Sequence, residues 1–91
     1  MVCVHCLVEG KVQGVFYRAS TQQQAVLLKL SGWVKNRADG KVELIACGKD
    51  SEIKKLEAWL WQGPQYAEVT NVVCKSVEKN RYDLQVGFSV L

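Results

Sequence analysis

Gly32-Trp33-Val34-Lys35-Asn36-Arg37-Ala38-Asp39-Gly40-Lys41-Val42-Glu43 is the stretch on which the fold turns. Asp39-Gly40 is a strong signal for a two-residue hairpin turn, in which both central positions need positive φ. A strand over residues 33–38 and a returning strand over 41–47 follow, the second alternating Val42, Leu44 and Ala46 with Glu43, Ile45 and Cys47. Upstream, residues 21–30 have the spacing of a helix, with Ala25, Leu27 and Leu28 inward, Gln22-Gln23-Gln24 on a solvated surface, and Ser31-Gly32 as its stop. Before it, residues 2–9 are apolar on both faces, as in a central strand. Downstream, Asp50 or Ser51 caps a second helix with an inner stripe of Ile53, Leu56 and Leu60 flanked by Trp59, and Gly63-Pro64 stops it. Residues 68–77 form a fourth strand, 79–83 a polar turn, and 84–91 a short extended tail returning to the sheet.

The order is β-α-β-β-α-β over a single domain, residues 1–91. Right-handed crossovers leave few topologies for that order. The commonest is an α+β, ferredoxin-like sandwich with two helices on one face of an antiparallel sheet in the order 4-1-3-2. The second strand is then an edge, guarded by Lys35, Arg37 and Lys41. A composition 48% hydrophobic and 23% charged is that of an ordinary globular chain, and a net charge of +3 suits a small anion without calling for nucleic acid. Polybasic runs are absent, and Trp33, Trp59 and Trp61 are not interleaved with clustered Lys or Arg. The expectation is a cytoplasmic protein with no signal peptide and no membrane span.

Many functions share such a sandwich, so the site must carry the functional argument. Gly10-Lys11-Val12-Gln13-Gly14-Val15-Phe16-Tyr17-Arg18 joins the first strand to the first helix. A helix N-terminus presents unpaired N–H groups and the positive end of its dipole, which together favour an anion. Gly14 permits backbone angles closed to other residues, and Arg18 adds a planar fork for two oxygens. The plainer alternative is a tight turn with a solvent-facing arginine. Asn36 can orient water but cannot serve as acid or base at neutral pH; on residue type alone, an asparagine satisfying nearby backbone groups is the favoured alternative.

The two segments together resemble the acylphosphatase family. Residues 10–18 are similar to its G-x-V-Q-G-V-x-[FY]-R signature, with Thr21 at a hydroxyl position three residues on, and residues 32–42 to its G-[aromatic]-V-x-N-x-x-D-G-x-V signature. Gly63-Pro64-Gln65-Tyr66-Ala67-Glu68-Val69 is a weaker third match. The resemblance implies hydrolysis of a small acyl phosphate without cofactor or metal. It implies that Arg18 binds the phosphoryl group, that the N–H groups of Gln13, Gly14, Val15, Phe16, Tyr17 and Arg18 line the cradle, and that Asn36 holds the attacking water, with Thr21 in support. Tyr17 stands where phenylalanine is commoner, Phe16 occupies a variable position, and the tail matches only through Phe88-Ser89-Val90.

Cys3-Val4-His5-Cys6 has the spacing of a metal or redox pair, but a strand sends Cys3 and Cys6 to opposite faces. A metal site is therefore not expected, and His5 reads as a partly buried strand residue. Antiparallel first and third strands bring Cys3 beside Cys47 on the face away from the helices, where geometry allows a disulfide, although cytosolic thiols are ordinarily reduced. A monomer is the simplest expectation. The rival readings are a non-catalytic module for a phosphorylated metabolite or RNA, and a family member that senses without turnover. An RNA-binding sheet would show two or three aromatics. This open face offers Cys3, His5, Leu7, Glu43, Ile45 and Cys47 on its central strands.

Overall fold

The computed structural model describes residues 1–78 and 87–91. Its elements run β1 (Val2–Lys11), α1 (Tyr17–Leu27), β2 (Ser31–Asn36), β3 (Val42–Gly48), α2 (Asp50–Gln62), β4 (Glu68–Val77) and β5 (Phe88–Val90). The sheet order is β4-β1-β3-β2-β5. Both helices cover one face, where Val4, Cys6, Val8, Val34, Leu44 and Ala46 meet Tyr17, Ala25, Ile53, Leu56 and Leu60. The opposite face holds a small cluster of Cys3, Ile45 and Cys47, against which Trp33 and Val77 pack. The expected ferredoxin-like sandwich is present, and α2 buries the expected Ile53, Leu56 and Leu60.

The fifth strand corrects the expected sheet. β5 pairs parallel with β2, setting Gly32 opposite Phe88 and Val34 opposite Val90. The sheet is therefore mixed, and β2 is not an edge. Its outer N–H and C=O groups, expected to be guarded by charged neighbours, are instead covered by backbone. Leu91 N–H donates to Val34 O at 2.8 Å, and Gln22 Nε2 of α1 donates to Phe88 O at 2.8 Å. Gln22 is thus half-buried and bonded rather than simply solvated. The expected turn at 79–83 and the first part of the tail, 84–86, lie outside the described residues.

Local chemistry explains the other shifts. α1 begins four residues before the expected start and ends at Leu27. Its inner stripe is Tyr17, Thr21 and Ala25, one turn apart, while Leu27, expected inward, is 75% exposed. The helix stops not at Gly32 but at Lys29, which takes the left-handed conformation at φ 58°. Lys29 N–H bonds Val26 O and Leu30 N–H bonds Ala25 O, the pair of contacts that closes a Schellman motif. Gly32 serves close packing between strands instead, since a Cβ there would lie 1.9 Å from Ile45 O. In the hairpin only Gly40 has positive φ, 90°, and Arg37 N–H bonds Lys41 O at 2.8 Å. The connection is therefore a longer loop than the two-residue turn, and the Asp39 carboxylate ties it by accepting from Lys41 N–H and Arg37 Nε. Lys49, rather than Asp50 or Ser51, is the N-cap of α2, with Asp50 and Glu52 in the first turn, where the helix dipole favours them.

Two sulfur pairs tie β1 to its neighbours. Cys3 opposes Cys47 on β3, and the two are joined on the face away from the helices. Cys6 opposes Cys74 on β4, and that pair is joined beneath the helices. The second pair was not expected from the residues, although the adjacency of β1 and β4 follows from the same strand order.

Gly32→Ala is expected to cost roughly 3 kcal/mol or more, since the clash is with backbone rather than a movable side chain. In a domain of this size that is a fall in Tm above about 12 °C by thermal unfolding. Gly14→Ala, whose Cβ meets nothing within 4 Å, is expected to lose only the left-handed penalty, about 1–2 kcal/mol. A thiol titration of unfolded, unreduced protein is expected to find none of the four cysteines free. Four free thiols would show both pairs to be reduced.

Candidate active site

The site grows from the way β1 gives way to α1. Val12 and Val15 are buried and fasten the connecting loop to the core. Gly14 at φ 75° and Phe16 at φ 64°, ψ 21° turn the chain sharply between strand and helix. For a bulky residue this left-handed conformation is uncommon and costs about 1–2 kcal/mol. Phe16 is the N-cap of α1 and offers no side-chain acceptor to it. The first helical hydrogen bond runs from Ser20 N–H to Phe16 O, 3.0 Å. The N–H groups of Tyr17, Arg18 and Ala19 therefore precede the ladder, available to an anion.

Tyr17 contributes only its main chain to this cradle. Its ring is buried against Trp59, centroids 5.6 Å apart, and its hydroxyl donates to Leu60 O at 2.6 Å. Burial pushes the phenol well above its ordinary value, so it stays a protonated donor. Thr21 is fully buried, and its hydroxyl bonds Tyr17 O at 2.8 Å, bracing the first turn from within.

Arg18 emerges on the other side of that turn, where Nη1 donates to Leu91 O at 2.6 Å. This uses one of the five guanidinium N–H donors. Asn36, the last residue of β2, reaches the same place because β1 and β2 both run antiparallel to β3 and so end at one side of the sheet. Its Oδ1 is buried and has no hydrogen-bond partner. Such an acceptor costs about 1–3 kcal/mol unless water or a ligand satisfies it. Gln13 fixes the spacing between the two halves. Its Nε2 donates to Arg37 O at 2.8 Å and to Lys41 O at 3.0 Å, holding the cradle loop against the hairpin that follows Asn36.

Gly14, Phe16, Tyr17, Arg18 and Asn36 come together around one pocket of about 300 Å³, along with Val12, Ala19 and Val90. Gln13 and Val15 belong to the loop but not to the pocket wall. Ala19, Val90 and Leu91 were not anticipated. The signal available for the tail is the apolar alternation of Phe88 and Val90, which brings a strand end here but does not say which strand it joins.

The hairpin cations are engaged elsewhere. Lys41 pairs with Glu9 at 3.1 Å, and Arg37 with Asp39 at 3.2 Å. Glu43 accepts from His5 at 2.6 Å and lies 3.7 Å from both Lys35 and Arg37. The His5 hydrogen bond chiefly, then these charges, hold the Glu43 carboxyl below its ordinary range. Lys41 N–H chiefly, then Arg37, does the same for Asp39. Among the described residues Arg18 is thus the one charged side chain lining the pocket. Among those residues, too, Cys6, Glu57 and Cys74 form a cluster with ligand-type spacing, but the two sulfurs are bonded to each other rather than available as thiolates.

A family model described as Acylphosphatase matches residues 4–90. The chain belongs to the acylphosphatase family. An acylphosphatase of Coxiella burnetii is 54% identical over 70 residues, covering 77% of this chain and 74% of that one. A solved acylphosphatase structure from the same organism superposes with a TM-score of 0.91 at 46% identity, over 99% of this chain and 92% of the other. The crystal structure of acylphosphatase from Bacillus subtilis gives 0.94 at 32% identity, over 100% and 99%. With membership goes the family's activity, hydrolysis of acyl phosphates.

Gln13 is expected to act on turnover through the distance between cradle and Asn36. In Gln13→Ala both carbonyls keep only their backbone partners within the hairpin, from Gly40 N–H and Arg37 N–H, and the cradle loop loses its tie to the hairpin. Misplacement on the ångström scale can cost up to about 100-fold. Steady-state kinetics on an acyl phosphate are expected to show kcat falling about 10- to 100-fold, with phosphate inhibition changing by less.

Proposed function

We propose that the enzyme cleaves the P–O bond of an acyl phosphate by in-line attack of water, with the Arg18 side chain and the cradle N–H groups of Gly14, Phe16, Tyr17 and Arg18 holding the phosphoryl group and Asn36 holding the water. The observation that carries this reading is the buried, unpartnered Asn36 Oδ1 beside Arg18 in one pocket. A carbonyl acceptor there can take one water O–H and so direct the oxygen lone pair at phosphorus.

An acyl phosphate is a mixed anhydride, so the departing group is a carboxylate, stable at neutral pH. No general acid has to protonate it. As the water oxygen bonds to phosphorus and the P–O bond to the acyl group breaks, one water proton passes to a phosphoryl oxygen. The products are a carboxylate and inorganic phosphate, with any excess proton released to solvent. Charge on the equatorial oxygens is met by the guanidinium, by the N–H groups that precede the α1 ladder and by the helix dipole. Thr21 and Tyr17 keep that first turn rigid. What remains is positioning and electrostatics. The scheme requires neither metal nor cofactor.

The reading is of a cytoplasmic monomer acting on a small molecule, free of nucleic acid and membrane. On the open face Trp33 packs against the small cluster and Lys35 Nζ lies 5.3 Å from its ring centroid, a poor platform for a stacked base.

Arg18→Ala is expected to lower kcat/KM about 10³-fold or more and to abolish competition by phosphate, since it removes the guanidinium from the pocket. Asn36→Ala is expected to lower kcat about 100-fold while phosphate still competes, because water rather than phosphate loses its partner. Near-normal turnover by Asn36→Ala would refute the water-holding role.

A further inference from the structure

Phe16 is not explained by packing or by backbone preference. Its side chain is 78% exposed, and its φ of 64° is one that glycine or asparagine adopts with less strain. A large apolar residue is therefore doubly out of place unless its ring has something to cover. It stands at the pocket wall with Ala19 and Val90, and Val90 is itself 39% exposed.

The pocket is lined by groups of two kinds. Arg18 and Asn36 supply polar side chains to its wall, while Val12, Phe16, Ala19 and Val90 supply apolar ones. Its volume of about 300 Å³ reaches the lower end of the roughly 300–1,000 Å³ typical of small-molecule sites, which leaves room beyond a phosphoryl group. An ammonium on the acyl group would be repelled by Arg18, and a carboxylate would compete with the phosphoryl oxygens for the same guanidinium. A flat apolar group would shed water against the Phe16 ring and Val90.

We infer that Phe16 is a specificity-determining residue that selects acyl phosphates with an apolar, preferably aromatic, acyl group; the inference rests on the proposed function. The test compares kcat/KM for benzoyl phosphate and acetyl phosphate in the wild type, Phe16→Ala, Phe16→Asn and Phe16→Tyr. The wild type is expected to favour benzoyl phosphate. Phe16→Ala is expected to narrow the benzoyl-to-acetyl ratio about two- to tenfold, chiefly through KM, the size of an aromatic contact, while Phe16→Tyr keeps it. Phe16→Asn suits the left-handed backbone and is expected to narrow the ratio equally, so the test survives misfolding of the alanine variant. A wild type that hydrolyses both substrates, with a ratio unchanged in Phe16→Ala or Phe16→Asn, would overturn the inference and leave the proposed function intact. A wild type that hydrolyses neither would overturn both.

Discussion

A left-handed turn at Phe16 is the constraint on which the site depends. By reversing the backbone between β1 and α1 it starts the helix at Tyr17, so that three consecutive N–H groups point away from the ladder instead of into it. Had the helix begun at Thr21, as the residue spacing suggests, Arg18 would lie in a loop and the dipole would end a full turn from it. The turn is held from inside. Val12, Val15, Tyr17 and Thr21 are all buried, and Tyr17 links the first turn of α1 to the last turns of α2 through Leu60 O. The exposed face of the turn can then remain open to a ligand while its buried face resists collapse.

Strand direction supplies the second half. β1, β2 and β5 run the same way, so the residues at or beyond their carboxyl ends, Val12, Asn36 and Val90, converge on one pocket. The tail is accordingly part of the site rather than an appendage. It covers the outer backbone of β2, supplies Val90 to the wall, and brings Leu91 O to Arg18. Gln22 and Gln13 act as paired clamps, one from α1 to β5 and one from the cradle loop to the hairpin.

Much of this is legible in the residues. Alternation in 42–47, the apolar β1 and the stripe Ile53, Leu56, Leu60 yield the six-element order, and the order yields the neighbours, including Cys3 beside Cys47. The misses have a common cause, which is that tertiary partners decide them. Lys29 rather than glycine closes α1 because the chain must turn into β2 there, while Gly32 is reserved for close approach to Ile45 O. Tyr17 has the position of a cradle residue, and only the packing of α2 shows that its ring is an anchor. The place of β5 depends on which edge is left open, a property of the assembled sheet. Local chemistry and resemblance single out Arg18 and Asn36, but the buried, unpartnered state of Oδ1 is a fact of three dimensions.

The site carries costs that the two sulfur bonds, where formed, offset. In the unliganded protein a strained Phe16 costs about 1–2 kcal/mol and an orphaned Asn36 acceptor about 1–3 kcal/mol. Domains of this kind have a total stability of only about 5–15 kcal/mol. Two sulfur bonds closing separations of 44 and 68 residues are each worth about 2–4 kcal/mol, enough to offset both costs. Their placement fits that role. Both fall on β1, one on each face, and fasten it to β3 and β4, so the strand that launches the cradle is secured from both sides. The cradle can then keep an unfavourable backbone turn and an unsatisfied acceptor in place, and on the proposed reading a phosphoryl group bound with its water relieves the second of these on arrival.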